Sequence, residues 1–265
     1  MTGARSLVIV GGGPAGMAAA IGAGRAGLPC TLIDEAPLPG GQIYRQPPDA
    51  FKVRDAGALG KDFIRGEALR ADLKALGDRV EVVSGTSVLG VWGGREVLWA
   101  SGGTSGIIEA ERLILATGAY ERPMPLPGWT LPGVMTAGGV QTIVKTMRVR
   151  PGQRALVAGA GPLILSAAVR LQEIGVEVVA VLEAGQPRLH DLPAREGQEW
   201  DFARDALEYE QSLRRAGIPL LYNHTVFGVH GRSAVERASM SWSLEEALLD
   251  VRWPTMPLRR AFEPR

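Results

Sequence analysis

Three glycines, Gly11, Gly13 and Gly16, follow the apolar run Leu7-Val8-Ile9-Val10 and open an alanine-rich stretch over residues 15–26. Between a strand and a helix, glycines so spaced suit a diphosphate. The first allows a tight turn, the second lets phosphates come against bare backbone, and the third permits close packing of helix on strand. A helix starting there, at Pro14 and Ala15, offers unpaired N–H groups and partial positive charge to an anion. Asp34 closes the next apolar run, where a carboxylate accepts both hydroxyls of an adenosine ribose, and neighbouring Glu35 competes for that role. Gly40-Gly41-Gln42 comes next. Its double glycine lets the chain pass close under a bulky group, and Gln42 carries an amide for a ring edge. A plain surface turn is the simpler reading of the same residues.

These side chains need a frame. Residues 7–10 read as a buried parallel strand, residues 15–26 as a helix and residues 28–33 as a second strand. That is one β-turn-α-β crossover unit. The pattern returns later, where Ala155-Leu156-Val157-Ala158 leads to Gly159-Ala160-Gly161-Pro162, a helix, Gly175 and a strand over residues 178–182. Gly11, Gly13, Pro14 and Gly27 match Gly159, Gly161, Pro162 and Gly175 at one constant offset. The second copy departs from the first, because Ile164 replaces the third glycine and Leu182 falls where the first copy has Asp34, with Glu183 one residue on. Two readings stay open. Gly159, Gly161, Pro162 and Glu183 hold a second nucleotide, NAD(P) or ATP-like, or the domain is purely structural. Arg188 and His190 follow in a loop, meeting either a phosphate or solvent.

Between the copies, residues 80–84, 87–92 and 96–100 are separated by glycine and serine and read as a β-meander. Residues 113–116 form another buried strand ending in Ala116-Thr117-Gly118, and a Pro/Gly-rich connector spans residues 123–132. Residues 201–216 have helical spacing, residues 219–222 return as a strand, and the tail after Gly231 shows no pattern. The expected domains are residues 1–122, residues 123–231 and an irregular tail over 232–265.

Composition narrows the chemistry. A net charge of +1 gives no pull towards nucleic acid or anionic lipid. The single cysteine, Cys30, excludes an internal disulfide, a paired-thiol redox centre and a four-cysteine iron–sulfur cluster within the chain; on an apolar strand it reads as a small core residue. His190, His224 and His230 have no metal-ligand spacing. Glycine, at 35 of 265 residues, is well above the usual share of about 7%, and its clustering at strand ends points to close backbone approaches. The longest apolar run, residues 155–169, is shorter than the ~20 residues of a spanning helix, so there is no expected membrane span and a cytoplasmic protein is the default.

Gly11–Gly16 with Asp34, Gly40-Gly41-Gln42 and the Ala116-Thr117-Gly118 strand end together resemble the two-dinucleotide-domain flavoproteins of the pyridine nucleotide–disulfide reductase superfamily. The strings over residues 40–45, 126–139 and 159–163 resemble more narrowly the flavin-containing α or A subunits of opine oxidases, proline or hydroxyproline dehydrogenases and hydrogen cyanide synthase. The resemblance implies an α/β fold, with a doubly wound, Rossmann-like FAD domain bearing a β-meander and an inserted second βαβ dinucleotide-binding-like domain. It implies FAD held by Gly11, Gly13, Pro14, Ala15 and Gly16 at the pyrophosphate and Asp34 at the ribose. Gly41 and Gln42 would lie near the flavin, Val88 would meet the adenine through its backbone, and Ala116, Thr117 and Gly118 would close over the cofactor. Members of the group continue through a stretch that returns to the first domain, so the FAD domain is expected to be incomplete.

No general acid, base or cysteine pair stands beside these motifs, so redox chemistry would belong to the flavin, with the chain supplying position and electrostatics. Tyr120, Arg122 and Trp129 follow the strand end; they meet the cofactor or a partner, or simply pack the connector. The leading expectation is the flavin and electron-transfer subunit of a hetero-oligomeric amino-acid, imino-acid or opine dehydrogenase or oxidase, with the small-molecule substrate oxidised on a partner protein. The alternatives are a self-contained NAD(P)H:acceptor flavin oxidoreductase and a non-catalytic nucleotide-binding scaffold.

Overall fold

The computed structural model describes residues 4–48, 50–53, 57–186 and 198–241. The chain opens with β1 (Ala4–Arg5), β2 (Val8–Val10), α1 (Pro14–Arg25) and β3 (Cys30–Ile33). After α2 (Lys61–Lys74) come β4 (Val80–Val83), β5 (Ser87–Trp92), β6 (Glu96–Ser101), β7 (Thr104–Ala110) and β8 (Leu113–Leu115). There follow α3 (Ala137–Lys145), β9 (Arg154–Gly159), α4 (Pro162–Glu173), β10 (Glu177–Glu183), α5 (Gln198–Arg215), β11 (Leu220–Tyr222), β12 (Thr225–His230) and β13 (Arg237–Ser241). Two units result, Met1–Tyr120 and Glu121–Arg265.

In the first unit a parallel sheet runs in the order β4-β3-β2-β8, and alternate residues of its strands serve two layers. Ile9, Cys30 and Leu32 join Met17, Ala20 and Ile21 of α1 and Leu73 of α2 in one core. Val8, Val10 and Ile33 point the other way, onto Val97, Trp99, Ile108 and Ala110 of a second sheet ordered β1-β7-β6-β5. Ile9, Met17 and Leu32 are fully buried. Each contributes about 1.5–3 kcal/mol by leaving water, which fixes α1 against the strand whose end carries the glycines.

Residues 80–83, expected with Ser84 in the meander, form β4 of the parallel sheet instead. Cys30–Ile33 pairs in parallel with Val80–Val83, because the chain reaches β4 through a crossover containing α2. The meander proper is β5, β6 and β7, all antiparallel neighbours.

In the second unit β9, β10 and β11 form a parallel sheet with β10 in the middle. Val157, Ile164, Ala168, Leu171, Val178, Val181 and Leu213 make its core. The residues after Gly231, expected to be irregular, contain β13, which pairs antiparallel with β12. Its sequence, Arg-Ala-Ser-Met-Ser, alternates only a small Ala and one Met with polar residues and buries none of them fully, so backbone pairing with β12 defines it. Pro127 and Pro132 of the connector accept hydrogen bonds from Val229 (2.8 Å) and Val235 (2.9 Å), joining the connector to the β12–β13 hairpin region.

Candidate functional site

The parallel sheet of the first unit brings four loops to the amino end of α1. Gly11 follows β2, hydrogen-bonds through its N–H to Ile33 O at 2.8 Å and has φ +102°, the left-handed region that favours glycine. A β-carbon there would run into the Ala116 carbonyl at the end of β8. Gly16, in the first turn of α1, is packed so tightly that a β-carbon would strike the Gly11 carbonyl oxygen. Gly40 donates to Gly12 O at 2.8 Å, and a β-carbon on Gly41 would lie 2.8 Å from Gly13 Cα. Gly11, Gly16 and Gly41 thus stand where no side chain fits, whereas Gly13 has room for a β-carbon, 3.8 Å from Gly41 Cα.

The helix end they surround is bare. Gly13 stands at the N-cap with no side-chain cap, Pro14 fills the first turn, and no acid lies there. The first helical bond is Met17 N–H to Gly13 O, so the N–H groups of Ala15 and Gly16 precede the helix's own bonding pattern. Bare N–H groups and the positive helix terminus together make an anion site.

Two acids follow β3, and the structure separates them. Asp34 is 7% exposed; its Oδ1 accepts the Ala36 N–H at 2.7 Å, while Oδ2 lies over Gly12, where a β-carbon would collide with it. Glu35 is exposed and accepts a 2.7 Å hydrogen bond from the Tyr120 hydroxyl. That bond and the field of Glu35 push the Tyr120 phenol above its usual range. Gln42 donates to Ala119 O at 3.2 Å, tying the double-glycine loop to the segment after Thr117 and Gly118.

Gly11, Gly13, Pro14, Ala15, Gly16, Asp34, Gly41 and Ala116 therefore gather at one place, with Gln42 and the exposed Thr117 and Gly118 at its rim. Val88 pairs with Trp99 in the meander and packs its side chain on that core; just ahead of it, the N–H groups of Gly85 and Thr86 reach the Asp34 turn, bonding Ala36 O and Asp34 O. Gly12, Gly85 and Thr86 are not among the residues the sequence singles out; the glycine tripling at 11–13 was the available signal for Gly12. Arg122, just before the connector, and Trp129, within it, are both exposed.

The second copy has another geometry. Val178 pairs with Ala155 but Ala180 with Leu156, so Val179 is an extra, bulged residue in β10. The bulge moves Glu183, not Leu182, opposite Gly159, as continuing the Val10–Ile33 pairing by one residue would set Asp34 opposite Gly11. Leu182 is fully buried. The Glu183 carboxylate accepts the Gly161 N–H at 2.9 Å through Oε2 and the Gly185 N–H at 3.1 Å through Oε1. Pro162 opens α4, and Ile164 is buried with its Cγ2 2.8 Å from where a Gly159 β-carbon would lie. Arg188 and His190 lie outside the described residues.

Elsewhere, Cys30 is buried, and burial pushes its thiol up. Among the described residues no cluster of three metal-binding side chains occurs, and no helix is long and apolar enough to cross a membrane.

The family described as pyridine nucleotide-disulphide oxidoreductase matches residues 5–244. Hydrogen cyanide synthase subunit HcnB of Pseudomonas aeruginosa is 37% identical over 97% of this chain and 57% of its own length. An opine oxidase subunit of Rhizobium meliloti is 40% identical over 68% of this chain and 35% of its own. The chain thus spans about half or less of these curated relatives. Thioredoxin reductase of T. acidophilum shares the fold with a TM-score of 0.62 at 19% identity, covering 91% of this chain and 71% of that one. L-proline dehydrogenase of P. horikoshii does so with a TM-score of 0.56 at 23%, over 89% and 39%. The chain belongs to the pyridine nucleotide-disulphide oxidoreductase family.

Proposed function

We propose that this member of the family binds FAD in its first unit and serves as the flavin-bearing subunit of a hetero-oligomeric dehydrogenase or oxidase acting on amino acids, imino acids or opines. The observation that carries the reading is the glycine-lined, uncapped start of α1 beside a buried carboxylate. FAD fits this cradle: its pyrophosphate needs the side-chain-free backbone of Gly11, Gly13 and Gly16, and its ribose needs an acceptor at the end of β3. Gly11, Gly13, Pro14, Ala15 and Gly16 would hold the phosphates, Asp34 the ribose hydroxyls, and Gly41, Gln42, Ala116, Thr117 and Gly118 the part beyond. Val88 would meet the adenine through its backbone. Glu35, held by Tyr120, leaves the ribose to Asp34.

Bound there, the flavin supplies redox chemistry that no side chain here offers. The chain's own work is to neutralise the diphosphate with main-chain N–H groups and to fix the cofactor's orientation. That the names of similar proteins describe subunits of oxidases and a synthase supports a partner on which the substrate is handled.

Anaerobic reduction tests the reading. Protein loaded with FAD should keep its visible absorption in NADH and lose it when the partner protein is added together with an amino- or imino-acid substrate. Bleaching by NADH alone at a rate matching the substrate-driven one overturns the electron-transfer role in favour of a self-contained NAD(P)H oxidoreductase. A chain that takes up no FAD, yet assembles with its partner, overturns it in favour of a scaffold.

A further inference from the structure

We infer that Glu183 is a resident anion that closes the second glycine loop to diphosphate ligands, including pyridine dinucleotides. Three observations in the second unit converge on this. The bulge at Val179 carries Glu183 level with Gly159. From there, both carboxylate oxygens are used, on the N–H groups of Gly161 and Gly185, so the loop's donor is already bound to a negative charge. The backbone conformation has also changed. In the first loop the positive φ falls on Gly11, and Gly13 has φ −71°; in the second it falls on Gly161, at +86°, and Gly159 is not in the left-handed region.

The contrast between the two acids gives the cause. Asp34 is one methylene shorter and folds onto its own turn at Ala36 N, which leaves the N–H of Gly13 without it. Glu183 reaches across to the fingerprint itself. Ile164 in the third-glycine position and the exposed Leu163 then put apolar side chains at the start of α4, where the first copy has Gly16 and Ala15. A phosphate arriving there must displace a carboxylate from two N–H groups and remain beside its charge. Glu183 thereby acts as a specificity-determining residue, rejecting diphosphates from the second unit. The inference concerns that unit alone and stands apart from what the first unit binds.

Calorimetric titration with NADH and with ADP, in excess FAD so that the first unit is occupied, tests it on the full chain. Wild-type protein should show no saturable binding up to about 1 mM nucleotide. Glu183→Ala, which empties the loop, should gain saturable binding at least tenfold tighter. Glu183→Gln, which keeps the shape without the charge, should gain part of it and serves if the alanine variant does not fold. Saturable wild-type binding that weakens on substitution of Glu183 overturns the inference, making the acid a ribose ligand. Folded variants that bind no better than wild type overturn it as well.

Discussion

Gly16 rests against Gly11 so closely that a β-carbon at position 16 would run into the Gly11 carbonyl oxygen. This contact sets the distance between α1 and β2, and it sets where the bare N–H groups of α1 point. Gly16→Ala should force helix and strand apart. Overpacking of this kind costs about 1–3 kcal/mol, so melting should fall by several degrees and FAD should no longer be retained. Calorimetric melting and flavin fluorescence titration check both effects; unchanged FAD affinity in this variant contradicts the packing argument.

The two neighbouring acids should separate cleanly in a mutant pair. A hydrogen bond to a charged group contributes about 1.5–3 kcal/mol, so Asp34→Asn should weaken FAD by roughly ten- to a hundredfold. Glu35→Gln should change it by less than about twofold, since Glu35 is exposed and engaged by Tyr120. The reverse order in FAD titrations would transfer the ribose to Glu35.

The first glycine loop was legible in the sequence because its signals are local: an apolar run, glycines at fixed steps, an alanine-rich helix. What escaped is non-local or weakly patterned. Helix α2 buries only Gly66 and Leu73, too few to mark a face. Pairing of Cys30 with Val80 in a parallel sheet depends on a crossover whose length no motif records. The Tyr120–Glu35 bond joins residues 85 positions apart. Most telling is the register of Glu183, which the sequence names as a candidate but one residue past the matching position. A constant offset from the first copy selects Leu182, and only the bulge at Val179, invisible to spacing, brings the acid into register.

Cys30 should behave as packing and not as a reagent. It is 5% exposed, its Sγ lies 3.9 Å from Ala20 O, and burial suppresses its thiolate. In native protein near pH 8 a disulfide reagent should leave it untouched over the time needed to label a free thiol; in denaturant it should titrate one thiol per chain. Rapid native labelling would place Cys30 at the surface.

Tyr120 yields a pH prediction with a definite sign. Its phenol donates to the Glu35 carboxylate, so the neutral form is favoured and ionisation is delayed. A raised pKa means the contact is intact below the unfolded tyrosine value, about 10, and is lost as pH rises through the higher folded value. The phenolate absorbance of wild type minus that of Tyr120→Phe should therefore rise only above pH ~10. A difference transition below that would show that Tyr120 and Glu35 are not paired in solution.

The central claim is that the main chain around Gly11, Gly13 and Gly16 cradles the diphosphate of FAD. Dialysis of purified protein against FAD, followed by visible absorption of the washed sample, tests it most directly when wild type and Gly13→Val are run together. Wild type should retain about one flavin per chain and Gly13→Val, which puts a branched side chain where phosphates meet backbone, should retain almost none. Equal retention by a folded Gly13→Val, or none by wild type, contradicts the account.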